Sequence, residues 1–263
     1  KVAFEVTEPN TSDRILINQA QISKDSDKDG NDVTDQDSVP DKWNEGEDDQ
    51  DIEKVKVQYF DLSLRKWVTQ AIVTENGEEK IIESGHKAED DPEDVVKVDL
   101  KKSKINKVTI KFRYKIRVKN EGNIAGYAKE LKDYIPNGLK FVPEDNPLWK
   151  QIDEKTITTD QTKDILLQPG DTTEVEVVLT WINDSENFGV MDNWAEISKD
   201  HNDFNSPDID STPDNNKKGE DDIDDAPGSV GVQTGQIKTF TTIGLAVLVI
   251  LSSGVVLIKK FVL

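Results

Sequence analysis

The sequence contains no cysteine, which excludes disulfide bonds and thiolate metal sites. It has only two histidines, His86 and His201, and both lie in charged, loop-like segments. No P-loop, nucleophile elbow or zinc-ligand spacing is present. Acidic residues are so common that no pair of carboxylates stands out as the acid and base of a glycosidase. These absences predict a protein that is not an enzyme.

Positive charge is scarce relative to negative charge. The 263 residues include 33 Lys and Arg but 53 Asp and Glu, which gives a formal net charge of −20. Such a surface repels phosphates, which argues against a nucleic-acid partner. The length allows one domain of ordinary size with linkers. Without disulfides, an exported domain must be stabilised by a good core, a bound metal or another cross-link.

Long apolar runs are absent except near the C-terminus. Residues 237–260 contain about twenty uncharged residues between Lys238 and Lys259, enough for a helix to cross a bilayer. The lysines that end this segment predict that 261–263 are cytoplasmic and that the preceding chain lies outside. The sequence starts at Lys1 without a signal peptide, so we expect the C-terminal part of a larger exported precursor.

An internal repeat runs through the chain. Residues 18–25 (NQAQISKD) match 193–200 (NWAEISKD), and the acidic stretch 35–51 matches 208–224. The repeat predicts that residues 1–24 are the C-terminal strands of a preceding repeat.

Two acidic linkers follow from the same comparison. The first spans 25–51, and the second spans 201–236 and includes a candidate sorting motif. Between them, residues 52–200 are predicted to form one complete domain. Tandem domains on a stalk are the natural interpretation of this arrangement.

Within 52–200, apolar and polar residues alternate with a period of two. The longest run is 108–118, and turn signals such as Asn76-Gly77 separate the runs. Helical periodicity is absent outside the C-terminal segment. Antiparallel strands of this kind predict an all-β, immunoglobulin-like β-sandwich. Residues 74–106 are predicted to be an insertion or a hairpin at its edge.

Four segments carry a resemblance to a known family: 60–66 (FDLSLRK), 118–126 (VKNEGNIAG), 131–141 (LKDYIPNGLKF) and 167–173 (LQPGDTT). They resemble the conserved-repeat β-sandwich family of Gram-positive surface proteins, and the first is similar to clostridial members. The resemblance covers roughly 52–225. It implies an adhesin-like, immunoglobulin-like repeat at the cell surface and implies no particular ligand.

Three polar residues, Lys66, Asp133 and Asn193, each share a strand face with apolar neighbours. Burying a lysine or a carboxylate costs several kcal/mol unless it is paired, so the three are expected to contact one another. Burial would favour the neutral amine of Lys66 and the protonated form of Asp133.

This trio predicts a covalent cross-link. Asp133 would polarise the carboxamide of Asn193 while the amine of Lys66 attacks it, which releases ammonia and leaves an intramolecular isopeptide bond. The resemblance implies the same, because related surface-protein sandwiches form Lys–Asn links beside an acid. Two alternatives stay open: a non-covalent polar cluster, or a register shift that places Lys66 in solvent.

The first acidic segment contains a calcium-like pattern. Acids occupy the first, third and fifth positions from Asp25, and Gly30 occupies the sixth. The twelfth position is Gln36 instead of the usual glutamate, so other acids would have to substitute. The candidate ligands are Asp25, Asp27, Asp29, Asp32, Asp35 and Asp37. The alternative is a solvated linker extended by charge repulsion.

Residues 231–235 (GVQTG) precede the apolar C-terminal segment. The order of Thr234-Gly235, spacer, apolar run and lysines resembles a wall-sorting signal, although Gly231-Val232 replaces the usual Leu-Pro. This predicts cleavage between Thr234 and Gly235 by a sortase and attachment to peptidoglycan. Permanent anchoring in the membrane is the alternative.

Together, these features predict a stalk or adhesin-like repeat protein on the extracellular face of a Gram-positive cell, in the wall or the plasma membrane. Its host or matrix ligand is not specified. One alternative is a carbohydrate- or matrix-binding module, since tryptophans can stack on sugars. The other is the accessory region of a larger surface enzyme.

Overall fold

The computed structural model describes residues 3, 15–87, 95–184 and 186–233. The chain divides into two compact units, Lys1–Tyr59 and Phe60–Leu263, called here the N-terminal unit and the sandwich unit.

No helix in the described ranges is long and apolar enough to span a membrane. The predicted transmembrane segment 237–260 lies outside those ranges. Two short 3₁₀ helices, Lys102–Lys107 and Pro143–Asp145, are the only named helices that the structure describes.

The described part of the N-terminal unit contains one antiparallel hairpin. Strand β1 (Ile15–Gln21) pairs with β2 (Gln50–Lys56), and Asn18 lies opposite Glu53. Most side chains of both strands are exposed.

In the residues that the structure describes, the sandwich unit has eleven strands in two sheets. The strands are β3 (Leu62–Glu75), β4 (Glu78–Glu83), β5 (Val96–Lys101), β6 (Val108–Asn120), β7 (Tyr127–Tyr134), β8 (Leu139–Phe141), β9 (Lys150–Gln151), β10 (Thr156–Thr159), β11 (Thr172–Trp181), β12 (Gly189–His201) and β13 (Ile223–Gln233). One sheet has the order β5-β13-β12-β7-β10-β9, and the other has the order β4-β3-β6-β11-β8.

The alternation in the sequence explains the core. Along β6, buried residues alternate with more exposed ones as predicted, and Ile110, Phe112, Tyr114 and Ile116 are all fully buried. Facing residues of the two sheets form a single apolar cluster. The all-β class predicted from the sequence is confirmed.

Within the predicted edge segment 74–106, β4 forms an edge strand of one sheet and β5 an edge strand of the other. The β3–β4 turn is Asn76-Gly77, and both residues have positive φ, as a tight hairpin of this kind requires.

The segment 201–236, predicted as a linker, differs in the structure. Its residues 223–233 form β13, which pairs antiparallel with β12 and parallel with β5. Ala226 and Val230 are buried in the core. The sandwich therefore continues to Gln233, because small and apolar residues within the acidic stretch face inward.

The N-terminal hairpin repeats the geometry of β12–β13. The two share strand register, loop hydrogen bonds and left-handed backbone positions. In strand register, Asn18 lies opposite Glu53 and Asn193 lies opposite Ala226. In the loops, the amide of Ile22 donates to the carbonyl of Asp49, and the amide of Ile197 donates to the carbonyl of Asp222. The residues with positive φ at equivalent positions are Asp41 and Asp214, and Gly46 and Gly219. Each acidic segment thus connects the two strands of a hairpin, whereas the sequence predicted linkers between domains.

Candidate functional site

The structure brings Lys66, Asp133 and Asn193 together in the core of the sandwich unit. Lys66 lies on β3, while Asp133 and Asn193 lie on adjacent strands of the facing sheet, β7 and β12. Their exposed fractions are 3%, 0% and 0%. The predicted contact among the three residues is therefore present.

The carboxylate of Asp133 links the other two side chains. Lys66 Nζ donates to Asp133 Oδ2 at 2.5 Å. Asn193 Nδ2 donates to Asp133 Oδ1 at 2.7 Å and to the carbonyl oxygen of Tyr134 at 3.0 Å. The carboxamide is thus held through its nitrogen, while Asn193 Oδ1 is buried and accepts no hydrogen bond from the described residues.

Burial lowers the pKa of Lys66, and the nearby negative charge of Asp133 opposes this shift. The desolvation of the ammonium group is the larger of the two effects. A lowered pKa makes the neutral, nucleophilic amine more accessible than it is for a lysine in water.

Tyr114 completes the surroundings of Lys66. Lys66 Nζ lies 5.1 Å from the centroid of the Tyr114 ring, on the neighbouring strand β6. The hydroxyl of Tyr114 is buried without a hydrogen-bond partner among the described residues, and burial raises its pKa. The alternation in β6 placed Tyr114 on the inward face, but no polar motif marked it as part of the site.

A second group of carboxylates lies at the edge of the sandwich unit. Oxygen atoms of Asp61, Asp208, Asp210 and Asp221 all lie within 4.8 Å of one another, so this cluster could bind a metal ion. Asp208 Oδ2 also accepts the backbone amide of Leu62 at 2.7 Å. The cluster was not predicted, because Asp61 is distant in sequence from the other three.

The predicted calcium ligands of the first acidic segment do not form such a cluster in the described ranges. Asp27 instead accepts the backbone amides of Asp29 and Asn31, each at 2.9 Å. Asp35 accepts the amide of Asp37 at 3.2 Å. Asp25 is half-buried and Asp32 is exposed. The carboxylates of Asp27 and Asp35 thus stabilise turns of this segment.

The remaining sequence candidates are distributed as follows. Thr234 and Gly235 lie outside the described residues. Trp149 and Trp181 are buried, and each donates its indole N–H to a backbone carbonyl. Trp43 is 41% exposed, and the Nζ of a lysine lies over the ring of half-buried Trp194. The tryptophans therefore do not form one exposed platform for sugars.

No family model matches the chain, and no curated protein matches it. Among solved structures, the chain is similar to the CARDB domain of a Pyrococcus furiosus protein. The solution structure of that domain has 13% identity, a TM-score of 0.28 and coverage of 66% of this chain and 98% of the domain. Its crystal structure in complex with di-metal ions has 12% identity, a TM-score of 0.29 and coverage of 68% and 100%.

A β-glucosidase from Listeria innocua in complex with glucose is also similar, with 13% identity and a TM-score of 0.26, over 67% of this chain and 17% of the enzyme. Likenesses of this strength assign no function. What the fold and the site define is a β-sandwich domain whose two sheets are joined by a buried lysine, aspartate and asparagine.

Proposed function

We propose that this chain is a structural repeat of a bacterial surface protein whose sandwich is closed by a covalent bond between Lys66 and Asn193. One observation carries the proposal: the amine and the carboxamide both hydrogen-bond one fully buried carboxylate, that of Asp133. This arrangement holds a nucleophile, an electrophile and a proton carrier together in a buried site.

The reaction needs no external reagent. The ammonium of Lys66 passes a proton to Asp133, and the free amine attacks Cγ of Asn193. The bond between Cγ and Nδ2 then breaks, and Asp133 supplies the proton that lets this nitrogen leave as ammonia. Asp133, ionised again, takes the second proton that the Lys66 nitrogen loses on becoming an amide. One C–N bond forms and one C–N bond breaks, so the product is a secondary amide without net oxidation or reduction.

The physical gain is the removal of a buried charge. A buried ion pair is often no more stable than apolar residues of the same volume, because both ions lose their hydration. Conversion of Lys66 to an amide removes its charge and joins β3 to β12 across the core. The bond would give the stabilisation that an exported protein without cysteine cannot obtain from disulfides.

Intact mass of the folded protein tests the bond. The expected mass is that of the sequence minus one ammonia, with a branched peptide containing Lys66 and Asn193 after digestion. The variants Asn193→Ala and Asp133→Asn should each have the full mass of their own sequence. Lys115→Arg, on the more exposed face of β6, should still lose one ammonia. A wild-type mass equal to that of the sequence would refute the proposal.

We also propose that the protein is displayed on the extracellular face of a Gram-positive cell, through sortase cleavage at Thr234-Gly235 and attachment to peptidoglycan. The support is the order of motif, apolar run and lysines in 231–260. Fractionation tests it: release by peptidoglycan digestion is expected, and release by detergent alone would favour the membrane anchor.

A second candidate function is calcium binding. The four-carboxylate cluster around Asp208 favours it, because carboxylate oxygens are the ligands that calcium prefers. Calorimetry with CaCl2 is expected to give binding heat, and its absence at millimolar Ca²⁺ would contradict the proposal.

A further inference from the structure

The N-terminal hairpin, β1–β2, exposes the face that the equivalent hairpin β12–β13 buries. In β12, Ala195 and Ile197 lie in the core, with exposed fractions of 0% and 1%. Ala20 and Ile22 hold the same positions in the repeat, and both are exposed, Ile22 by 52%. Matching residues are therefore covered by a core in one unit and left uncovered in the described part of the other.

The second strand of the N-terminal hairpin continues this face. Residues that lie directly opposite in an antiparallel pair share one side of the sheet, so Glu53 lies on the side of Asn18. Val55, two residues further along β2, lies on that side as well and is 54% exposed. Gly228 holds the same position in β13, where it faces the ring of Phe112 in the core. The uncovered face thus extends over both strands.

Asn18 holds the position of Asn193 on this face. Each asparagine begins the matched sequence motif of its hairpin. Asn193 lies opposite Ala226 in β13. Asn18 lies opposite Glu53, which holds the position of Ala226 in the repeat. Sequence match and strand register therefore agree, but Asn193 is fully buried and Asn18 is exposed.

A carboxylate that contacts the facing sheet is repeated too. In the sandwich unit, Asp224 Oδ2 accepts the backbone amide of Lys66 on β3 at 2.8 Å. Asp51 holds the same position in β2, since Asp51 lies opposite Ala20 and Asp224 lies opposite Ala195. The N-terminal hairpin thus carries both the asparagine and the carboxylate that engage a lysine-bearing strand in the sandwich unit.

We propose that the N-terminal hairpin completes a preceding β-sandwich of the same polypeptide, and that Asn18 is the acceptor of an isopeptide bond to a lysine of that sandwich. The partner is a sandwich that carries a lysine and an aspartate at the positions of Lys66 and Asp133 and has no final hairpin of its own. Lys66 itself is not the partner, since it already shares Asp133 with Asn193. The inference rests on the cross-link proposed above and adds a second acceptor and its partner.

Glu53 marks a difference between the two hairpins, because β13 has Ala226 in its place. Once covered by a sandwich, the Glu53 carboxylate needs a cation or a proton beside it, since an unpaired buried charge is costly. The ammonium of a lysine that approaches Asn18 supplies this cation. The charge on the uncovered face therefore favours a lysine-bearing partner.

The reaction at Asn18 needs no external reagent. The lysine nitrogen forms a bond to Cγ of Asn18, and the bond from Cγ to Nδ2 breaks. Of the two protons that the lysine ammonium loses, one leaves with Nδ2 as ammonia. The other stays on a carboxylate beside the bond, that of Glu53 or that of the partner's aspartate.

Peptide mass spectrometry of the protein isolated from the cells that make it tests the proposal. Trypsin cuts after Arg14 and Lys24, so an unmodified Asn18 gives a linear peptide 15–24. The expected product is a branched peptide in which 15–24 is joined to a lysine-containing peptide that precedes Lys1 in the polypeptide. Its mass should be the sum of the two peptides minus one ammonia.

Two controls belong to the same measurement. The chain of 263 residues, expressed alone, should give the linear peptide 15–24, because the partner sandwich is missing, while Asn193 is still joined to Lys66. In the longer polypeptide, Asn18→Ala should abolish the first branched peptide and leave the second unchanged.

Three results would overturn the inference. A linear peptide 15–24 from the cellular protein, beside a branched peptide at Asn193, would reject Asn18 as an acceptor and keep the cross-link of the sandwich unit. Linear peptides at both asparagines would reject both proposals. A branch from Asn18 to Lys66, or to a lysine of another protein, would reject the preceding sandwich as the partner.

Discussion

At the scale of single residues, Lys66 and Asp133 form a buried ion pair in the core of the sandwich. Both side chains are fully buried, and each is the only ion-pair partner recorded for the other in the described residues. Removing one partner leaves an uncompensated buried charge, whereas replacing both with apolar residues does not.

A double-mutant series in an Asn193→Ala background, where the bond cannot form, checks this reasoning. Asp133→Ala should lower the free energy of unfolding by about 3–5 kcal/mol, because Lys66 stays buried without its partner. Adding Lys66→Met should recover most of that loss. Urea denaturation measures both values, and equal losses in the single and double variants would contradict the explanation.

The trio shows how far sequence alone can reach at this scale. Lys66, Asp133 and Asn193 were predictable because each interrupts an apolar strand face, where a polar residue needs a partner. Asp61 and Asp221 could not be paired from the sequence, since many acids were equally plausible and only the path of the segment 202–222 selects them.

At the scale of elements, a strand can be predicted from the sequence when its apolar and polar residues alternate. Strand β6 alternates over its whole length and was predicted, whereas β13 begins Ile-Asp-Asp-Ala-Pro-Gly and was missed. Its inward positions are Ala226, Gly228 and Val230, which carry little hydrophobic signal. An added Cβ at Gly228 would lie 3.0 Å from the Phe112 ring, so a larger residue would force that ring to move.

Asp222, directly before β13, predicts how the stability of the folded protein depends on pH. Burial raises the pKa of Asp222 to about 7, well above the value of about 4 for an aspartate in an unfolded chain. The folded state therefore holds a proton that the unfolded state has lost, so stability falls as pH rises from about 4 to 7.

In a chelating buffer, the Tm of wild type should decrease across this pH range. Asp222→Asn should flatten the decrease, because the amide does not ionise. Asp214→Asn, a change at an exposed carboxylate of the same segment, serves as the control. A pH profile of Asp222→Asn that matches wild type would contradict the assignment.

At the scale of the whole molecule, the two units should differ in local stability. The strands of the N-terminal hairpin are mostly exposed, whereas residues 193–198 of β12 and most of β13 are buried or half-buried. Few buried apolar contacts mean a low free energy of local opening.

Hydrogen exchange followed by mass spectrometry measures this difference. Peptides covering 15–21 and 50–56 should exchange within seconds to minutes at neutral pH, while those covering 193–201 and 223–230 should stay protected for hours or longer. Similar protection in both hairpins would show that the first one is covered by another part of the protein.

The start of β3, the first described strand of the sandwich unit, hydrogen-bonds the residues that lead into and begin β13, its last described strand, and these contacts advance in the same direction along both segments. The amide of Leu64 donates to the carbonyl of Asp221 at 2.7 Å, and that of Lys66 donates to Asp224 Oδ2 at 2.8 Å. If the chain is pulled from Phe60 and from Gln233, the force acts along these two segments and loads both contacts at once. The rate of forced unfolding then depends on breaking these contacts. A bond between Lys66 and Asn193 would also keep every residue between them from extending under load.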